Sequence, residues 1–169
     1  MADQPLTGIL LVGGASTRFG SPKELAEYEG ETLADRAWRL LGEVCDERLA
    51  VGRGGLPDPG TGPVAAIAAG LGAASHEVAV VIPVDMPLLT GEALRLLAGA
   101  CRDAAVAQAG PLPCAVARHA LPAFETGERR LRIVQRQIRC VNLVYGYAGK
   151  RWQGGEAVER ASIMGPGRM

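Results

Sequence analysis

Two short segments carry residues suited to handling phosphate. The first is Leu11-Val-Gly-Gly-Ala-Ser-Thr-Arg-Phe-Gly-Ser-Pro-Lys23. Gly13 and Gly14 have no side chain, so backbone N–H groups there can approach an anion closely. Arg18 and Lys23 add two cations, one able to grip a phosphate with two donors and one acting as a mobile point charge. The spacing is neither G-x-G-x-x-G nor the Walker A pattern. The second segment is Pro83-Val-Asp-Met-Pro87, which holds Asp85 between two prolines. A hard carboxylate so placed suits magnesium, which prefers oxygen ligands and keeps several of its waters. The bland alternatives are a glycine turn with two solvated cations and an aspartate that caps the next helix. Thr90 is better placed to be that cap.

These segments need elements to hold them. Residues 7–12 form an apolar run that ends at glycines, as a strand buried on both faces would. Residues 31–44 carry Leu33, Ala37, Leu40, Leu41 and Val44 at helical spacing, and 48–52 read as a second strand. Arg53 to Pro63 contains four glycines and three prolines and must be a loop. An alanine-rich helix over 64–74 follows, then the clearest strand at 78–83. Thr90 and Glu92 mark the start of a helix over 91–102. Residues 104–108 and 113–117 suit two further short strands. The order predicts an α/β fold of three layers, with a mostly parallel, Rossmann-like sheet and helices on both faces. Ligands of such sheets bind beyond the carboxyl ends of the strands, where residues 13–23 and 84–87 lie.

Composition narrows the class. One domain is expected from 169 residues, with 48% hydrophobic residues against disorder. Eighteen basic and eighteen acidic residues leave no net charge, which argues against a nucleic-acid binder, and 4% aromatics are too few for a stacking platform. No apolar stretch is long enough to span a membrane, and the N-terminus has no signal-like core. Cys45, Cys101, Cys114 and Cys140 form no C-x-x-C pair, so neither zinc nor a disulfide framework is expected. The reading is a soluble, reduced, cytoplasmic protein.

The first loop resembles the nucleotidyltransferase signature L-x-G-G-x-x-x-R-x-G-x-x-K, with Leu11, Gly13, Gly14, Arg18, Gly20 and Lys23 at its positions. It is most similar to the molybdenum cofactor guanylyltransferases, whose double glycine differs from the Ala-Gly common in cytidylyl and sugar-nucleotide enzymes. Asp85-Met86-Pro87 matches that family's D-x-P. The resemblance implies transfer of GMP from GTP to molybdopterin with release of pyrophosphate. It also implies that the backbone of Leu11, Val12 and Gly13 cradles the nucleotide, and that Asp85 holds Mg2+ against the triphosphate. Asp58, ahead of Gly62-Pro63, would contact guanine, because a carboxylate can accept both N–H groups of its Watson–Crick edge. A turn aspartate between prolines is the plain alternative. Val64-Ala65-Ala66 stands where the family has Leu-Ala-Gly, and Gly52 where an Asn often closes the second strand.

The division expected is a nucleotide-binding half over about 6–100, an acceptor half over about 101–149 and a tail over 150–169. The family's Asn-x-Asn-Thr-Pro run is reduced to Asn142, and Gly127-Glu-Arg-Arg-Leu131 is similar to a family helix start. Residues 118–151 carry eight cations against Glu125 and Glu128. They read either as a solvated face or as a surface attracting an anionic pterin phosphate or a molybdoenzyme partner. His76 and His119 are given no catalytic role. Two other functions stay open: a cytidylyl or sugar-phosphate nucleotidyltransferase, and a non-catalytic nucleotide or molybdopterin carrier.

Overall fold

The computed structural model describes residues 4–13, 25–107 and 110–143. Gly14, Arg18 and Lys23 therefore lie outside the described residues, as does the expected tail. The elements in chain order are β1 (Leu6–Val12), β2 (Glu27–Tyr28), β3 (Glu31–Thr32), α1 (Leu33–Val44), β4 (Glu47–Gly52), α2 (Pro63–Ala73) and β5 (Val78–Pro83). Then follow α3 (Gly91–Ala100), β6 (Ala104–Ala107), β7 (Cys114–Ala117), α4 (Leu121–Phe124), α5 (Leu131–Arg136) and β8 (Cys140–Leu143).

Six strands form one sheet in the order β4-β1-β5-β7-β6-β8, and β2 and β3 form a separate hairpin. The sheet is mostly parallel, as the alternating pattern predicts. β1 lies parallel to both β4 and β5, β6 lies parallel to β8, and β7 runs antiparallel to its two neighbours. Strand alternation sorts the apolar residues onto two faces. Leu10, Val80 and Ile82 pack with α1 and α3 on one face. Ile9, Val81 and Val116 pack with α2, α4 and α5 on the other. Full burial of each such side chain contributes about 1.5–3 kcal/mol, so the sheet is clamped from both sides.

Local chemistry sets the helix starts. Thr90 Oγ1 accepts from Ala93 N at 3.3 Å and caps α3, which leaves Asp85 free of the capping role the sequence allowed it. Thr32 Oγ1 accepts from Asp35 N at 3.1 Å and caps α1. α1 therefore begins at Leu33 rather than near 31, because Glu31 and Thr32 are engaged in the hairpin with Glu27 and Tyr28. Residues 140–143, without an assigned element in the sequence reading, form β8 beside β6.

Candidate functional site at the strand ends

β1 is the middle strand of the parallel trio β4-β1-β5, and the register brings their carboxyl ends level. Val12 stands beside Gly52, and Leu11 beside Pro83. Gly13 therefore emerges between the turn that follows β4 and the one that follows β5. The chain leaving β1 enters α1 on one face of the sheet, and the chain leaving β4 enters α2 on the other. A crevice opens where neighbouring connections part in this way.

Gly13 adopts φ +129, a conformation that favours glycine. A Cβ at this position would lie 3.8 Å from Asp58 Oδ2, so the loop after β4 folds back over the end of β1. The other oxygen, Asp58 Oδ1, accepts from Gly60 N at 2.8 Å. Asp58 thus closes its own turn, as the plain reading holds, and also presents an exposed carboxylate edge beside Gly13. Asp85 is only 6% exposed, in the turn immediately beyond β5. Leu11 is half-buried and Val12 buried within β1, so their contribution to a ligand is restricted to backbone groups at the strand end.

The structure thus brings Leu11, Val12, Gly13, Asp58 and Asp85 to one end of the sheet. Arg18 and Lys23 belong to the loop that leaves Gly13 but lie outside the described residues. Asn142 is exposed on β8, at the far edge of the sheet from β4.

Gly52 explains one departure from the expected pattern. Its φ is +112, and a Cβ there would lie 1.5 Å from the carbonyl oxygen of Val12. The backbone of β4 crosses β1 too closely for any side chain, so an asparagine cannot occupy this position. Arg53 N donates to Val12 O at 3.3 Å and Gly52 N to Leu56 O at 2.8 Å, which fixes the entry to the Asp58 loop.

Among the described residues no group of three or more His, Cys, Asp and Glu side chains converges on one point. Magnesium needs no such cluster: one or two carboxylates with substrate phosphates suffice. The carboxylate of Asp85, two residues beyond the Pro83 that pairs with Leu11, is a group of that kind at the same end of the sheet as Gly13.

Residues outside the strand ends take structural parts. The cysteines are free, and burial pushes the Cys45 thiol up to about 12 and Cys101 to about 11, so neither is a ready nucleophile. Trp38 packs under Arg48, whose guanidinium lies 4.6 Å from the ring centre. His119 and Arg139 both bind the carboxylate of Asp103, at 2.9 and 2.8 Å, just before β6 and so at the opposite end of the sheet from Asp85. Part of the basic stretch is likewise neutralised locally, with Arg130 Nε 3.0 Å from Glu128 Oε1. Its 127–130 turn reaches the strand-end side: the Arg129 carbonyl lies 3.8 Å from the Cβ position of Gly62, where α2 begins.

Sequence reasoning passed over Arg36. Its Nε donates to Pro87 O at 2.7 Å, two residues beyond Asp85. One signal was available: a cation near the start of a helix opposes the helix dipole, which favours acids there.

No helix among the described residues is long and apolar enough to cross a membrane. In fold, the chain is similar to molybdopterin-guanine dinucleotide biosynthesis protein A from Archaeoglobus fulgidus. The TM-score is 0.68 at 22% identity, covering 80% of this chain and 82% of that one. It is also similar to Rv0371c of Mycobacterium tuberculosis in complex with manganese, with a TM-score of 0.63 at 16% identity, covering 83% and 88%. In sequence it is 35% identical over 152 residues to a probable molybdenum cofactor guanylyltransferase of Deinococcus radiodurans, covering 76% of this chain and 78% of the relative. The family model described as the MobA-like NTP transferase domain matches residues 8–141, from within β1 into β8. That span takes in all three strand ends on which Gly13, Asp58 and Asp85 are mounted, and the chain belongs to the MobA-like NTP transferase family.

Proposed function

We propose that the protein transfers GMP from GTP to molybdopterin and releases pyrophosphate. The observation that carries the reading is the level alignment of β4, β1 and β5, whose following turns bear Asp58, Gly13 and Asp85 at one end of the sheet. The named guanylyltransferase relative, matched over most of both chains, supplies the substrate class.

The nucleotide lies across the end of β1, with its phosphates against the backbone of Leu11, Val12, Gly13 and Gly14. The exposed edge of Asp58 accepts from the guanine N–H groups. Arg18 and Lys23 offset charge on the α-phosphate and on the departing pyrophosphate, by positioning and charge neutralisation rather than through a covalent intermediate. Asp85 would hold the divalent cation, Mg2+ in this reading, which supplies charge stabilisation at the phosphates when bound. An oxygen of the molybdopterin phosphate attacks the α-phosphorus, and the bond to the β-phosphate oxygen breaks. A partner that delivers or receives the cofactor would meet the exposed arginines of the 129–136 segment.

The test is pyrophosphate release from GTP and, in parallel, CTP, each with magnesium and molybdopterin. Release with GTP that requires molybdopterin is the expected result. Preference for CTP would reassign the chain to cytidylyl transfer. Nucleotide binding without release would make it a carrier.

A further inference from the structure

We infer that Arg36 is a positioning residue, which ties the turn carrying Asp85 to the hairpin that follows the glycine-rich loop. The inference rests on the reading of Asp85 as the metal-side carboxylate and extends it to a residue with no place in the signature motifs.

The geometry starts in α1. Arg36 stands just beyond the Thr32 cap, and its side chain is 26% exposed. Its Nε donates to the carbonyl of buried Pro87 at 2.7 Å. The same guanidinium lies 5.0 Å from the centre of the Tyr28 ring. Its Nη1 is 3.6 Å from Glu29 Oε2 and 3.9 Å from Glu31 Oε2. One side chain thus joins three parts of the fold: the helix that bears it, the hairpin β2–β3, and the segment leaving β5. The hairpin begins four residues after Lys23 in the sequence.

Core packing holds that segment through Val84, Met86 and Leu89, all buried, and leaves a gap toward α1. A cavity of about 280 Å³ lies between α1 and the chain from Val84 to Gly91, bordered by Arg36, Leu40, Met86, Leu89 and Thr90. A gap this size deprives the turn of contacts on its α1 side. A hydrogen bond from a charged donor is directional and stronger than a neutral one. It therefore sets the position of Pro87, and the short run Asp85-Met86-Pro87 carries that position to the carboxylate. The partners that orient a ligand commonly change metal affinity by about 10–100-fold when removed.

The experiment compares wild type, Arg36→Met and Arg48→Met. Met keeps much of the apolar stem and removes the donor. Arg48 links β4 to α1 through Trp38, at 3.1 Å to its carbonyl, away from the turn, and serves as a control for general loss of stability. The first readout is amide hydrogen exchange, measured on the nucleotide-free protein. Arg36→Met should speed exchange across Val84–Leu89 by about tenfold, the factor expected for a lost hydrogen bond to a charged group. Exchange in β6 should stay unchanged, and Arg48→Met should leave Val84–Leu89 as in wild type. The second readout is manganese affinity in the presence of GTP without acceptor, by electron paramagnetic resonance. Arg36→Met should weaken it by about tenfold, with little change for Arg48→Met.

Where Arg36→Met does not fold, Arg36→Lys should move both readouts the same way by a smaller factor. Unchanged exchange at Val84–Leu89 overturns the inference. So does faster exchange with unchanged manganese affinity, since Arg36 would then be structural only. Failure of wild type to bind manganese with GTP would instead overturn the nucleotidyltransferase reading, and this inference with it.

Discussion

Gly52→Ala tests how closely the strand ends are set. A methyl group at this position would stand 1.5 Å from Val12 O and 2.6 Å from its carbonyl carbon. No side chain can move to relieve that overlap, because both atoms are backbone. Either the end of β4 or the end of β1 must shift by more than an ångström. Two costs add. Holding a non-glycine residue at φ +112 is worth about 1–3 kcal/mol. Separating the strand ends weakens the bonds Arg53 N to Val12 O and Gly52 N to Leu56 O, each worth about 0.5–1.5 kcal/mol. The total is about 2–6 kcal/mol, which in a domain of this size lowers the melting temperature by roughly 4–24 °C.

Gly54→Ala separates the two costs. Gly54 has φ +79 and nothing within 4 Å of its Cβ position. This variant therefore carries the conformational cost without the overlap, and should lose about 1–2 kcal/mol. The assay is urea unfolding of both variants, with GTP affinity measured on the folded fraction. Gly52→Ala should lose at least twice as much stability as Gly54→Ala, and should bind GTP more weakly because Gly13 and the Asp58 loop have moved apart. Equal losses in the two variants would refute the close crossing of β4 and β1, and with it the reason given for the missing asparagine.

Four further outcomes follow from the site. Asp85→Asn should fold, lose most activity and need far more magnesium for the remainder, because a neutral amide is a poor ligand for that ion; superimposable magnesium titrations would remove Asp85 from the metal site. Arg18→Ala and Lys23→Ala should each lower turnover by about 10²–10³ while changing stability by about 0.5 kcal/mol or less, as paired kinetic and melting measurements would show. Asp58→Ala should narrow the gap between GTP and ATP affinity in calorimetry, and an unchanged ratio would leave Asp58 as a turn residue. Hydrogen bonds from Thr7 and from Ser75 hold Glu47 below the usual carboxylate range; its stabilisation is present above the ordinary value of about 4.3 and is lost as pH falls through the lower folded value, so acid titration of Glu47→Gln should show a smaller loss of stability than wild type.

The parallel core was legible because each strand and helix carries its own signal. The run at 78–83 is apolar throughout, Thr90 announces α3, and four glycines with two prolines disfavour regular structure over Arg53–Gly62, up to the proline that opens α2. The place of Asp85, in the turn just beyond β5, was legible for the same reason, as two prolines and a strand end are all local. Features fixed by contact between distant segments were not legible. The hairpin β2–β3 has two residues per strand, too few to show alternation. β8 is a half-buried edge strand, so Asn142 breaks the apolar pattern that marks the central strands.

Gly52 shows the same limit from the other side. Read along the chain, it is a motif position that lost its side chain. Read across the sheet, it is the one residue type that lets β4 pass the carbonyl of Val12. Beside that crossing the Asp58 loop comes back over β1, while Asp85 follows β5 on its other side. With no room for a side chain at the end of β4, any side-chain contact offered there comes from the loop itself. Asp58 presents a carboxylate oxygen beside Gly13, and its other oxygen is held by Gly60 N, which limits its rotation. Under the role proposed for Asp58, the glycine at 52 and the carboxylate beside Gly13 are therefore two consequences of one close approach of β4 to β1.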